Sequence, residues 1–340
     1  MMKVARLYDF GDIRVENHPR PEVGPRDMLV RATACGICSG DIMPWYIRRK
    51  APLVLGHEPV GVVEEVGPEV RDFHPGQRVF VHHHAPCFQC AACRRGEYVQ
   101  CPTWRSSKID PGGMAEYFLV SAVNQRDTLA LPDSVQDLDG VLIEPSACVI
   151  KSLRRSGIRP GDTIVVIGLG IMGMMHVVLA RHAGAARIFG IDLFETRARR
   201  ALELGADHAI VADNDLVERI RDLTHGAMAD VVIVGPGTVR ALQTGLELAG
   251  KGATVVQFTA TAPDEEMTIR PHDLYFNDTR FITSYSCGPD DTRQAMDLVE
   301  RGVLSAADLV THSFPLAQVT QAFETAQRQE ALKVVVTFGQ

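Results

Sequence analysis

Four of the chain's eight cysteines fall within fifteen residues, spaced Cys87-x2-Cys90-x2-Cys93-x7-Cys101. Four thiolates can close a tetrahedral shell around Zn²⁺ and leave no position for substrate. Such a site is structural and pins a lobe, here about residues 84–104. Short spacings of this kind also serve iron–sulfur clusters and the zinc ribbons that contact nucleic acid. The N-terminus, MMKVARLYDFGDIRVE, has no apolar signal-peptide core, and in such a chain clustered cysteines point to metal before disulfide.

A second stretch with chemical content runs from Thr163 to Asp192. An apolar, β-branched run, Ile164 to Ile167, meets the turn Gly168-Leu-Gly170-Ile-Met-Gly173. A helical pattern follows from Met174 to Ala183, and a second apolar strand from Arg187 ends at Asp192. A glycine turn between strand and helix, with an acid closing the next strand, has the context of a dinucleotide site. Gly168 permits the tight turn, Gly170 lets backbone approach a pyrophosphate, and Gly173 allows close packing of helix on strand. The helix N-terminus offers free N–H groups to the anion. Asp192 suits the ribose hydroxyls and repels a 2′-phosphate, which favours NAD over NADP. Ile171, Met172 and Arg197 are further candidates for cofactor contact, although Met172, Met174 and Met175 also fit core filling.

The elements that must position these groups change in texture near Pro145. Before it, KVARLY, DIRVENH, MLVRATACGIC and Val60 to Val66 read as strands parted by Gly, Pro and Asp. After it, apolar strands alternate with amphipathic helices around Arg197–Leu204, Asp215–Leu223 and Val239–Leu248. That pattern predicts βαβ units and about six parallel strands. The tail from Asp290 predicts two helices and a final strand, KVVVTF, returning to the first domain. A length of 340 residues suits two domains. A net charge of −7 argues against a nucleic-acid partner. No run of about 18 apolar residues offers a membrane span, so the expected location is the cytoplasm.

Further motifs join these two: CGIC at Cys35 to Cys38, LGHEPVGVV at Leu55 to Val63, GGMAEY at Gly112 to Tyr117, IEP at Ile143 to Pro145, and LVTHSFPL near the C-terminus. By itself, Cys35-x2-Cys38 fits a redox pair, and His57-Glu58 fits surface or structure. Taken together over nearly the whole length, the motifs resemble the zinc-dependent medium-chain alcohol dehydrogenases of the sorbitol/polyol and threonine dehydrogenase type. IEP points to the polyol-like branch. The resemblance implies an α/β protein with a GroES-like β-rich catalytic domain, residues 1–146 and 286–340, and a six-stranded doubly wound Rossmann domain, residues 147–285. It implies two zincs per chain, NAD, a homo-oligomer (dimer or tetramer), and hydride transfer between NAD and a secondary alcohol in a cleft that excludes water. The catalytic zinc would be held by Cys38, His57 and Glu144, a neutral shell open to an oxygen. Glu58 stands beside it and is expected to exchange with water or substrate, and Asp41 resembles the carboxylate that orients the histidine.

The chain departs from its relatives where many carry Ser or Thr two residues after the zinc cysteine and His five residues after it. Gly40 and Met43 stand there, so the usual proton relay is missing. The proton is expected to leave by Glu58, Ser39, Tyr46 or a substrate hydroxyl, through water. Trp45, Tyr46 and Tyr285 are pocket candidates. His82, His83 and His84 follow a strand, so their side chains are expected to alternate in direction rather than converge; one of them is a candidate to line the cleft, and a structural or surface role fits equally. Cys35, Cys148 and Cys287 fit small buried residues. The substrate class is a polyol, sugar or amino sugar; an L-threonine 3-dehydrogenase-like enzyme and a non-catalytic NAD-binding sensor are the alternatives.

Overall fold

Alternating apolar residues in the first third of the chain pair into antiparallel strands. The computed structural model, which describes residues 1–339, divides into two compact units. One comprises Met1–Ala147 with the segment from Cys287 onward; the other is Cys148–Ser286. The first unit opens with β1 (Met2–Asp9), β2 (Asp12–His18), β3 (Met28–Gly36), β4 (Leu53–Val54), β5 (Pro59–Val66), β6 (Arg78–Val81), β7 (Tyr117–Val120) and β8 (Thr128–Ala130). Strands β2, β1 and β4 form a small antiparallel sheet.

The second unit holds β9 (Thr163–Ile167), β10 (Arg187–Asp192), β11 (His208–Val211), β12 (Ala229–Val234), β13 (Ala249–Gln257) and β14 (Arg280–Thr283). They form one parallel sheet in the order β11-β10-β9-β12-β13-β14. All five residues of β9 are buried, as a central strand covered on both faces requires. Chain order reverses between β9 and β12, which opens a crevice at the carboxyl ends of those strands. The helices after β9, β10 and β12 lie close to the predicted spans, at Ile171–His182, Glu195–Glu203 and Val239–Glu247.

The tail carries β15 (Val310–Pro315) and β16 (Lys333–Thr337) with helices at Pro289–Glu300, Ala306–Leu309 and Val319–Ala326. The sequence reading gave two helices and one strand, so β15 and one short helix are additions. Every second residue of β15 is exposed and it ends on proline, a weak apolar signal that suits an edge strand. These two strands complete a seven-stranded sheet, β15-β16-β3-β5-β6-β8, with β7 also on β3.

Register in that sheet gathers distant residues. Antiparallel pairing sets Cys35 opposite Pro59, so the chain just after β3 lies beside the chain just before β5. Val60 pairs with Phe80 and Val81 with Thr128, so residues 82–84 run past the same edge, with residue 127 across from them. Val335 pairs with Gly36, and Lys333 extends to that edge too. Among the described residues, no helix is long and apolar enough to cross a membrane.

Candidate functional site

The four cysteines of the lobe converge. Sγ atoms lie 3.9 Å apart for Cys87 and Cys93, 3.5 Å for Cys90 and Cys93, and 3.6 Å for Cys101 and Cys87. Four thiolates about 2.3 Å from one zinc at tetrahedral angles would sit about 3.8 Å apart. The sulfurs therefore already have the spacing of a closed shell. Backbone N–H groups of Gln89 and Cys90 donate to Cys87 Sγ, each at 3.4 Å, and pull its pKa down. Burial would raise Cys101, but N–H groups of Cys87 and Trp104 outweigh it and bring the thiol to about 6. Both arrangements favour thiolates, the form that binds metal.

At the shared strand edge, the ligand atoms of Cys38, His57 and Glu58 lie within 4.8 Å of one another. Cys38 caps a short 3-10 turn, Ser39–Ile42, and its Sγ accepts the Gly40 N–H at 3.3 Å. His57 follows Gly56, which has φ +95°, and a Cβ there would come within 2.5 Å of the Met114 backbone nitrogen. Only glycine fits this entry to His57. Asp41 Oδ2, buried and without a hydrogen-bond partner, faces His57 Nδ1 at 3.6 Å. Burial would lower His57, but the charges of Asp41, Cys38 and Glu144 hold it well above the ordinary histidine range. A carboxylate on Nδ1 leaves Nε2 as the metal-facing nitrogen.

Glu58 and Lys333 form an ion pair, each 1% exposed. Lys333 Nζ also donates to the Ile37 carbonyl at 3.1 Å. A Cβ on Gly36 would strike both Glu58 Oε2 and Lys333 Cε, so that glycine makes room for the pair. Burial raises the Glu58 carboxyl and Lys333 only partly reverses it; Lys333 is itself held up, against burial, by Glu58, Cys38 and Glu144. Glu58 Oε1 has no hydrogen-bond partner. The carboxylate thus stands within reach of a metal at Cys38 and His57 while tethered to a lysine. Sequence reasoning missed Lys333. Its one signal was a charge heading the apolar run KVVVTF.

Glu144 sits buried in the first turn of the helix Ile143–Ser156. Its carboxylate groups within 4.8 Å of His82 and His83 rather than with Cys38 and His57. The strict alternation expected of the three histidines does not hold for His82 and His83, which share that group, while His84 turns its Nδ1 to the Ser107 carbonyl, so the three do not gather on one site. Strand β6 ends at Val81, extended alternation stops with it, and successive ring centroids lie 5.1 Å (His82 to His83) and 4.1 Å (His83 to His84) apart. His82 is fully buried, with Nδ1 2.6 Å from Asp127 Oδ2 and Nε2 3.7 Å from Cys287 Sγ. Thr292 Oγ1 donates to Asp127 at 2.7 Å. Neither Asp127 nor Thr292 was anticipated: strand register sets Asp127 opposite His82, and Thr292 reaches it from the helix Pro289–Glu300.

Of the remaining pocket candidates, Ser39 is exposed, and Trp45 packs edge-on against Tyr46 at 5.6 Å. A Cβ on Gly40 would lie 3.4 Å from Tyr46 Cε1 and 3.6 Å from Cys38 Sγ. The Tyr46 ring therefore borders the place where relatives carry the relay hydroxyl. Tyr285, in the second unit, is 54% exposed. Cys35 and Cys287 are buried as expected; Cys148 is only partly buried, a correction.

In the second unit each glycine of the turn has the expected geometry. Gly168 has φ +86° and a Cβ there would approach Pro236 Cδ at 2.8 Å. Gly170 has open space where a Cβ would be, and a Cβ on Gly173 would collide with the Gly168 carbonyl. Gly170 caps the twelve-residue helix Ile171–His182, whose first N–H groups suit a pyrophosphate. Met174 and Met175 are fully buried and Met172 partly so. Asp192 Oδ2 accepts the Leu169 N–H at 2.7 Å and Oδ1 the Phe194 N–H at 3.0 Å. The acid thus also braces the turn. Arg197 Nη1 lies 4.0 Å from Asp192 Oδ2.

Two family descriptions match the chain: alcohol dehydrogenase GroES-like domain over residues 24–133, and zinc-binding dehydrogenase over residues 170–301. Sorbitol dehydrogenase of Mus musculus is 32% identical, over 96% of this chain and 93% of its own length. A zinc-binding dehydrogenase from Sinorhizobium meliloti 1021, solved bound to NADP, is similar with TM-score 0.89 and 32% identity, covering 99% of each chain. The 2R,3R-butanediol dehydrogenase of Bacillus subtilis gives TM-score 0.86 at 26% identity, covering 99% of each chain.

Proposed function

Since the chain belongs to the zinc-dependent medium-chain alcohol dehydrogenase family, a zinc- and nicotinamide-dependent oxidoreductase, we propose that it interconverts a secondary alcohol of a polyol, sugar or amino sugar with its ketone, using NAD. The observation that carries this is the meeting of Cys38, His57 and Glu58 within 4.8 Å, with Glu144 acting electrostatically on His57. Zinc held there would supply Lewis acidity toward the substrate oxygen, and NAD held at the Gly168–Gly173 turn would supply a hydride acceptor.

The chain's own residues supply the rest. Cys38 and His57 are the constant ligands, with Asp41 orienting the imidazole. Glu58 would supply the carboxylate beside Cys38 and His57, with Glu144 the alternative from its place by His82 and His83, and Lys333 would hold Glu58 back when substrate takes the position. Tyr46, beside Gly40, and Glu58 offer the proton its way to solvent in place of the absent relay. A second zinc in the four-cysteine lobe holds that loop. An amino-acid substrate such as threonine would want a buried acid for its ammonium. Glu58 is already matched by Lys333, and Asp41 faces His57; both favour the polyol reading.

Asp192 at the end of β10 supports NAD, and the ratio of rates with NAD and NADP tests it. Strand β14 ends its sheet, and the helix before it exposes Tyr275 at 78% and Phe276 at 70%. We assign this edge to a homo-oligomeric contact in a cytoplasmic enzyme. The deciding experiment is NAD reduction by zinc-loaded protein across polyols, sugars, amino sugars, threonine and simple secondary alcohols, repeated with Cys38→Ala. Turnover confined to threonine would replace the polyol reading.

A further inference from the structure

The histidine triplet is not used up by the metal sites. His82 is committed to Asp127 and Cys287. His84 is pinned through Nδ1 to the Ser107 carbonyl and packs on Trp104 at 4.4 Å. His83 differs: its Nδ1 is buried and no protein group hydrogen-bonds to it. A buried polar atom of this kind is disfavoured unless something else satisfies it.

The place of this nitrogen is informative. The His83 ring centroid lies 5.0 Å from that of His57, and its ligand atom falls within 4.8 Å of the Glu144 carboxylate. It is therefore one ring removed from the metal-binding imidazole, inside the same unit. The ring is also held in place. His84 lies against it at 4.1 Å and His82 at 5.1 Å, and Asn124 Nδ2 donates to the His83 carbonyl at 3.0 Å. Trp104, which backs His84, stands three residues after Cys101 of the lobe. A binding group held this firmly loses little entropy when it engages a ligand.

We propose that His83 is a specificity-determining residue, whose Nδ1 hydrogen-bonds the hydroxyl on the carbon adjacent to the one being oxidised. This rests on the polyol reading above and deepens it to a class: vicinal diols. A neutral imidazole can donate or accept, and a hydroxyl can do the same in return.

The test compares butane-2,3-diol with butan-2-ol, which lacks only the neighbouring hydroxyl, in the zinc-loaded enzyme with NAD. His83→Phe keeps a packed ring and removes the polar nitrogen. It is expected to lower kcat/KM for the diol about 100-fold while changing butan-2-ol less than about threefold, because a site built to bind a hydroxyl discriminates strongly on it. His83→Asn, which keeps a polar group, should recover part of the diol preference and guards against misfolding of the first variant. Equal losses on both substrates, or no change on either, would overturn the inference. If the wild type oxidises neither compound, the polyol reading is judged by the wider panel above. Calorimetric binding of the diol to the NADH complex then decides the inference: weaker binding by His83→Phe supports it and equal binding overturns it.

Discussion

The two cysteine-bearing sites of the first unit are built in opposite ways. The lobe collects four like ligands from fifteen residues, with three pairs of sulfurs 3.5 to 3.9 Å apart and backbone N–H groups turned on them. Nothing in such a shell is free to change. The other site draws Cys38, His57 and Glu58, with Glu144 beside His82 and His83, from more than a hundred residues of chain and sets buried charge from Asp41 and Lys333 around them. A soft, closed shell holds structure; a mixed shell with a carboxylate tethered elsewhere can open to an oxygen.

The strongest challenge to that contrast is Cys38→Ala. It should lower kcat by about 10⁴-fold, or roughly 5.5 kcal/mol of barrier, while metal analysis shows one zinc retained in the lobe. Loss of both metals would mean that the sites are not independent. Next comes Cys101→Ser, which should act on stability before chemistry. A fall in Tm of about 10 °C, or roughly 4 kcal/mol, is expected by thermal melting, with kcat of the surviving folded protein largely kept.

Lys333→Met tests the tether. It strands a buried carboxylate and should destabilise by about 3 kcal/mol in urea. Adding Glu58→Gln should restore most of the loss, and simple additivity of the two changes would falsify the pairing. The smallest effect is expected of Asp41→Asn, which should weaken zinc at the catalytic site alone by about 10- to 100-fold. Competition with a chelator reads this directly, and an equal weakening in the lobe would blur the distinction between the sites.

Legibility in the sequence follows the same division. The lobe and the Gly168–Gly173 turn were readable because their ligands or contacts lie a few residues apart, where spacing alone decides geometry. The catalytic set was reached through resemblance, since nothing local links Cys38 to Glu144. Lys333 and Asp127 were missed, and His83 was not separated from its neighbours. A lysine before VVVTF looks like any solvated strand end, and Asp127 looks like any loop acid. Strand β15 escaped notice because its apolar alternation is thin.

What the sequence by itself determined was the set of local devices: the parallel-sheet alternation after Pro145, the glycine positions that allow an anion to approach, and the four-thiolate spacing. Tertiary structure alone decided which distant groups share one edge. Pairing of Cys35 with Pro59, Val81 with Thr128 and Gly36 with Val335 brings Glu58 to Lys333 and His82 to Asp127, and sets His83 beside His57. Strand register is chosen by the burial of whole faces at once, so it depends on all the pairing partners together and is not written at any one of the residues it brings into contact.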